Sequence, residues 1–224
     1  MKYLIGALII IVLGAGIWFG FARKPSPASE TRSDNSSAAM PKETITPTPS
    51  TTPAEQPQKT SQIAVLQTNF GNIEITLDAA AAPQTVANFE KLIRDGFYNK
   101  LTFHRIVPSF VIQGGDPKGD GTGGPGYTIP AEIKLPHKRG SVATARTGGK
   151  MPDGTVINPT KASSGSQFYI VLDDKVGPAG LDGEYTVFGQ VTAGMDSVDK
   201  IARVKTGAGD KPLEPVIINK AYIK

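Results

Sequence analysis

Arg105 and Gln113 stand inside a run that otherwise looks like a buried strand, FHRIVPSFVIQGGDP at positions 103–117. Phe103, Ile106, Val107, Phe110, Val111 and Ile112 are the apolar, partly β-branched residues that half-buried strands favour. Arg105 and Gln113 do not belong in such a core. A buried guanidinium is costly unless it is paired. Either a carboxylate such as Asp116 or Glu132 partners Arg105, or the residue faces a pocket where a ligand does. In the second case its chemistry is donation, through a fixed fork of N–H groups that stay charged at any working pH.

Other reactive groups are few. The 224 residues contain no cysteine, which removes disulfide scaffolds, thiolate metal sites, thiol nucleophiles and cysteine-linked lipid anchors. Only His104 and His137 represent histidine, so a histidine-rich metal site is not expected, and no cofactor is called for. His104, next to Arg105, should point the other way on a strand and reads as a structural histidine. Asp116 and Asp120 in GDPKGDGTGGPG resemble calcium ligands superficially, but the EF-hand spacing and its closing Glu are missing. The glycines there lack the Lys-Ser/Thr of a phosphate loop and read as turn residues. The net charge of +4 comes from scattered Lys and Arg with no long block of one sign, so nucleic-acid binding is not expected.

Three zones must position these residues. Residues 3–21, YLIGALIIIVLGAGIWFGF, are uncharged and flanked by Lys2, Arg23 and Lys24. At about 1.5 Å per helical residue they are long enough to cross a hydrocarbon core of about 30 Å. Residues 1–22 therefore read as one transmembrane helix, or as a cleaved signal peptide given the small residues of Gly20-Phe21-Ala22. Residues 23–61 are rich in Pro, Ser and Thr and have little to bury, which predicts a disordered linker. Residues 62–224 form the globular part. Alternating Ile63, Val65, Ile73, Ile75 and Leu77 around NFGN predict an opening hairpin. Pro83 opens a helix whose Val86, Phe89, Leu92 and Ile93 share a face, with Gly96 placed to end it. A second short helix is expected in AGMDSVDKIAR, and the rest reads as short strands closing on VIINKAYI, expected to pair near the first strand. Many short strands with two helices argue for a closed barrel or a sandwich.

The blocks FHRIVPSFVIQGGDP, GTGGPGY, SSGSQFYI and LDGEYTVFGQV, in this order, resemble the signature segments of the cyclophilin family of peptidyl-prolyl cis/trans isomerases. The resemblance covers essentially all of 62–224. It implies a mostly β fold, a closed eight-stranded antiparallel β-barrel capped by two α-helices, here preceded by the transmembrane helix and linker. It also implies an X–Pro bond as substrate. By matching positions, Arg105 would be the catalytic donor. Phe110, Val111, Tyr169 and Leu181 would hold the proline ring, Gln113 would orient Arg105, and the Ala145–Arg146 backbone would pair with the peptide before the proline. Gln167 and Tyr185 would complete the site.

The chemistry fits that expectation. Rotation about X–Pro faces a barrier near 20 kcal/mol and takes tens of seconds uncatalysed, yet breaks no bond, so neither nucleophile nor metal is required. Reaching milliseconds takes about 10⁴-fold, or roughly 5.5 kcal/mol. One charge-assisted hydrogen bond contributes about 1.5–3 kcal/mol, so the apolar pocket must supply the rest. In SGSQFYIVL, Gln167 and Tyr169 share one strand face while Phe168 and Ile170 share the other, so one pair lines the site and the other the core.

Several positions depart from the family's best-known pattern: Val111 where Met is frequent, Arg146 for Asn, Tyr169 for Phe, Tyr185 for His and Gly180 for Trp. The last opens a wall and puts sensitivity to cyclosporin in doubt. The segment 147–165 is longer than the compact family form. The expected partners are proline-containing peptides and folding protein clients, and the membrane through the N-terminal helix, with the chain a monomer. The expected location is a cell membrane, single-pass, with the domain extracytoplasmic, or secreted if the leader is cleaved. A non-catalytic holdase or scaffold that binds proline segments is the alternative, favoured by Gly180 and Arg146.

Overall fold

The computed structural model describes residues 62–146 and 160–224. The apolar run 3–21, the linker 23–61 and most of the long segment 147–165 lie outside the described residues. Among those described, no helix is long and apolar enough to cross a membrane.

In chain order the elements are β1 (Ile63–Thr68), β2 (Gly71–Leu77), α1 (Pro83–Arg94), β3 (Phe103–Val107), β4 (Val111–Gly114), β5 (Ser141–Thr144), β6 (Phe168–Val171), β7 (Val187–Ala193), α2 (Met195–Ala202) and β8 (Ile218–Ile223). The strands form one antiparallel sheet in the order β3-β4-β6-β5-β7-β2-β1-β8. The terminal strand β8 pairs with β1, and the hairpin around residues 69 and 70 joins β1 to β2.

The sheet is not the closed barrel that the sequence led us to expect. It is an open, strongly curled half-barrel whose edge strands lie about 8 Å apart. At one end the two edges touch: Lys100 N–H donates to Ile218 O at 2.7 Å, Phe103 N–H to Val216 O at 2.9 Å, and Thr102 bridges Ile217. Beyond that point each edge has a local partner. Ala221 N–H donates to Asn99 Oδ1 at 2.9 Å, and a tight turn at Ala208–Asp210 packs on β3. The Ala221 N–H is thus paired without the missing ladder, and the turn covers the β3 edge.

Stretch 103–117 is likewise two strands and not one. Ser109 takes φ 61° in a turn closed by Phe110 N–H to Val107 O, so β4 folds back along β3. The inner face carries the main core, including Ile73, Ile75, Phe103, Ile106, Ile112, Val142, Phe168, Ile170 and Phe188. Val86, Phe89, Leu92 and Ile93 of α1 and Val198 and Ile201 of α2 complete it. The Phe168 ring meets Phe89, Tyr98 and Phe103 edge-on at 5.6–5.9 Å between centroids.

Helix α1 begins at Pro83, without a side-chain cap of its own. Glu132, from a distant loop, serves instead. It accepts N–H bonds from Gln84 at 3.1 Å and Thr85 at 2.8 Å, and the Thr85 hydroxyl at 2.8 Å. Its charge also complements the positive end of the helix. At the other end Gly96 takes φ 71° and returns its N–H to Ile93 O, the left-handed stop that glycine provides.

A second apolar cluster lies on the outer face of the β4-β6-β5-β7 flank, made of Val111, Ala143, Ala145, Tyr169, Val171, Val176, Leu181 and Val187. Strands β5 and β6 are thus buried on both faces, which is why they read as unbroken apolar runs.

Candidate functional site

Register assembles the site. Arg105 pairs with Gln113, Gln113 with Tyr169, and Tyr169 with Ala143, so one row of outward side chains crosses four strands. In the next row on that face Val111 pairs with Val171. Tyr169 and Gln167 therefore face outward with Arg105, while Phe168 and Ile170 enter the core. Val111, Ala145, Tyr169 and Leu181 form a nearly sealed apolar floor, each no more than 8% exposed, and Phe110 and Tyr185 stand half-buried against it.

Arg105 is not tied to an interior acid. Asp116 accepts the N–H groups of Lys118, Asp120 and Gly121, which fixes the glycine-rich loop, and Glu132 is committed to α1. The ionic partner of Arg105 is Asp210, with Nε 3.4 Å from Oδ2 and the side chains 30% and 48% exposed. Among the described residues nothing takes its terminal nitrogens. Gln113, expected to orient Arg105, instead donates to Gln167 Oε1 at 3.0 Å. Gln167 in turn donates to the carbonyls of Gly121 and Gly123. Asp210 thus holds one side of the guanidinium and leaves the other open.

The backbone beside the floor also differs from the expected pairing. Ala145 N–H donates to Gln167 O at 2.8 Å and its carbonyl accepts Ser164 N–H at 2.9 Å. Both its groups are engaged, so among the described residues it is the Arg146 backbone that remains for an extended peptide. The Arg146 guanidinium lies 4.7 Å from the Tyr185 ring centroid and donates to Glu184 at 2.7 Å; Glu184 also accepts Lys161 at 2.7 Å. Lys161 first and Arg146 second hold the Glu184 carboxyl below its ordinary range. The cluster forms one rim of the floor.

His137, missed by sequence reasoning, completes the site from beneath. Its Nε2 lies 2.9 Å from the Tyr169 hydroxyl and its Nδ1 2.9 Å from Asp182 Oδ1, which also accepts its backbone N–H at 2.7 Å. A carboxylate at Nδ1 places the proton there, so Nε2 accepts and Tyr169 donates. Burial lowers the His137 pKa against the pull of Asp182, and raises that of Tyr169. The tyrosine hydroxyl is thereby satisfied away from the pocket, and its ring presents an apolar face. The available signal was Tyr169 itself, since a hydroxyl beneath an apolar floor requires a partner. Gly177 belongs to the same fastening: a Cβ there would lie 2.7 Å from His137 O and 2.8 Å from Asp182 Oδ1.

The arrangement offers a half-exposed cationic donor beside a dry apolar floor. Comparison with known proteins agrees. The sequence profile of cyclophilin-type peptidyl-prolyl cis-trans isomerases matches residues 63–223. Peptidyl-prolyl cis-trans isomerase B of Bacillus subtilis is 47% identical over 127 residues, which are 55% of this chain and 78% of that one. A peptidyl-prolyl cis-trans isomerase of Synechococcus elongatus is 41% identical over 159 residues, 70% of this chain and 97% of its own. The crystal structure of a cyclophilin-type isomerase of Cryptosporidium parvum superposes with a TM-score of 0.64 at 30% identity, covering 73% of this chain and 98% of that one. A second crystal structure of that protein, in the presence of the dipeptide Ala-Pro, gives 0.63 at 28% identity, covering 73% of this chain and 99% of the other.

Proposed function

This chain belongs to the cyclophilin-type peptidyl-prolyl cis-trans isomerases and accelerates rotation about X–Pro bonds, and from that premise we propose how its own residues divide the work. The proline ring rests on Val111, Tyr169 and Leu181, with Phe110 at its side. The peptide before the proline pairs with the Arg146 backbone. Arg105 donates a terminal N–H toward the prolyl nitrogen, which becomes pyramidal and basic only as the amide twists, so the bond strengthens in the transition state. Asp210 keeps the guanidinium aimed. The observation that carries this division is the Arg105 fork, open on one side beside the floor while the nearby interior acids are committed elsewhere.

Exchange spectroscopy on a short X–Pro peptide with catalytic amounts of the full chain tests the reading. Cis and trans proline resonances should exchange at a rate proportional to protein concentration. Exchange no faster than in buffer would overturn it.

The run 3–21 supports a further part of the reading: the chain is exported and held by that segment at the outer face of a membrane, with 23–61 as spacer, where it serves folding proteins as a monomer. N-terminal sequencing of the mature protein separates a retained anchor from a cleaved leader. Digestion of the domain by protease added to intact cells supports the outward placement, and protection would sink it.

A further inference from the structure

A groove of about 470 Å³ opens beside the proline floor, with Phe110, Val176, Ala179 and Leu181 as its apolar lining and Asp173 and Lys175 at its rim. Its volume falls within the range of about 300–1,000 Å³ typical of small-molecule pockets. Two of its residues, Phe110 and Leu181, also belong to the apolar cluster of the floor, so the groove adjoins it. Gly180 keeps the groove open: it takes φ 146°, and a Cβ there would meet nothing within 4 Å.

Strand β6 gives the direction in which a peptide would cross. Gln167, just before its start, accepts the Ala145 N–H, next to the Arg146 backbone, which bonds no backbone group among the described residues. Tyr169 sits at the floor. Leu172, just past its end, donates to Phe110 O at 2.9 Å. A peptide that pairs at Arg146 and sets its proline on Tyr169 therefore leaves over Phe110, into the groove. At about 3.3 Å per extended residue, the first side chain to arrive is the one immediately following proline.

We propose that this groove is a specificity site for a large apolar side chain, aromatic or long aliphatic, directly after the proline. The proposal rests on the isomerase reading above. Val176 and Leu181 are 6% and 8% exposed, so they form a firm apolar base. Asp173 Oδ1 accepts the Lys175 backbone N–H at 2.9 Å, and these two charged residues line the groove beside that apolar base.

The test is a series of Ala-Ala-Pro-Y peptides, with Y as Gly, Ala, Leu, Phe or Asp, followed by exchange spectroscopy with the full chain. Leu and Phe should exceed Gly by about tenfold in kcat/KM, mainly through KM, in line with the discrimination one apolar side chain provides. Ala179→Trp, at an exposed position, fills the groove and should bring the Phe-to-Gly ratio to within about twofold of unity. Equal rates for all five peptides, or an unchanged ratio in Ala179→Trp, would overturn the groove. Acceleration of none of them would instead remove the isomerase reading beneath it.

Discussion

Replacing Arg105 by Ala separates the donor from the pocket, and the structure fixes the size of each loss. The ion pair removed is 3.4 Å long between side chains 30% and 48% exposed. Such a water-facing pair contributes about 0–1 kcal/mol, so Arg105→Ala should melt within a few degrees of the parent. Catalysis should suffer far more. Loss of one charge-assisted hydrogen bond made chiefly in the twisted state costs about 1.5–3 kcal/mol, which is about 10- to 150-fold in kcat/KM. The change should fall on kcat, with KM nearly constant, because the donor adds little to ground-state binding. Out of a total near 5.5 kcal/mol the floor still supplies about 2.5 or more, so measurable acceleration should persist.

Asp210→Asn refines the test. Its effect on turnover should be less than about fivefold and should vanish in the Arg105→Ala background, since Asp210 acts through the guanidinium. Exchange spectroscopy with peptide titration, alongside thermal melts, measures all four corners of the cycle. If Arg105→Ala retained kcat/KM within about twofold while melting normally, the donor role would be refuted. Equal losses from Asp210→Asn in both backgrounds would refute the positioning role alone.

Further outcomes follow from the neighbouring geometry. Glu132→Ala strips α1 of the acceptor for Gln84, Thr85 and its hydroxyl, and should cost about 1–2 kcal/mol, a drop of about 2–8 °C in Tm. Tyr169→Phe leaves Nε2 of the buried His137 without its partner, and should cost about 1–3 kcal/mol of stability while keeping turnover within a few-fold, because the floor stays apolar. Burial lowers the pKa of both His104 and His137, so the unfolded chain binds more protons than the fold as the pH falls below about 6.5. Stability is then complete above that value and declines as pH drops toward the folded pKa values. Tm should fall between about pH 7 and pH 5, before the carboxylates titrate, and a flat profile there would contradict the assignment.

Much of the fold and part of the site were legible in the sequence because they depend on local pattern. Period-two alternation set Gln167 and Tyr169 apart from Phe168 and Ile170, and Pro83 and Gly96 bracketed α1. What escaped was non-local. Alternation specifies which face of a strand is buried but not whether the last two strands meet. Here they meet only at one end, beyond which Asn99 takes the Ala221 N–H and the turn at Ala208–Asp210 packs on β3. Arg105 was visible as an anomaly, yet its partner lies in a turn where Asp210 adopts φ 60°, far along the chain.

His137 shows the same limit from the other side. It reads as a stray polar residue in a turn-rich segment until the fold sets Tyr169 on one ring nitrogen and Asp182 on the other. Asp182 directly follows Leu181, so this chain of bonds fastens a wall of the pocket to its floor. A floor of Phe would need no such partner. By carrying Tyr instead, the site acquires a buried polar link from the floor through His137 to the residue after Leu181, so the pocket rests on a polar support as well as on its apolar packing.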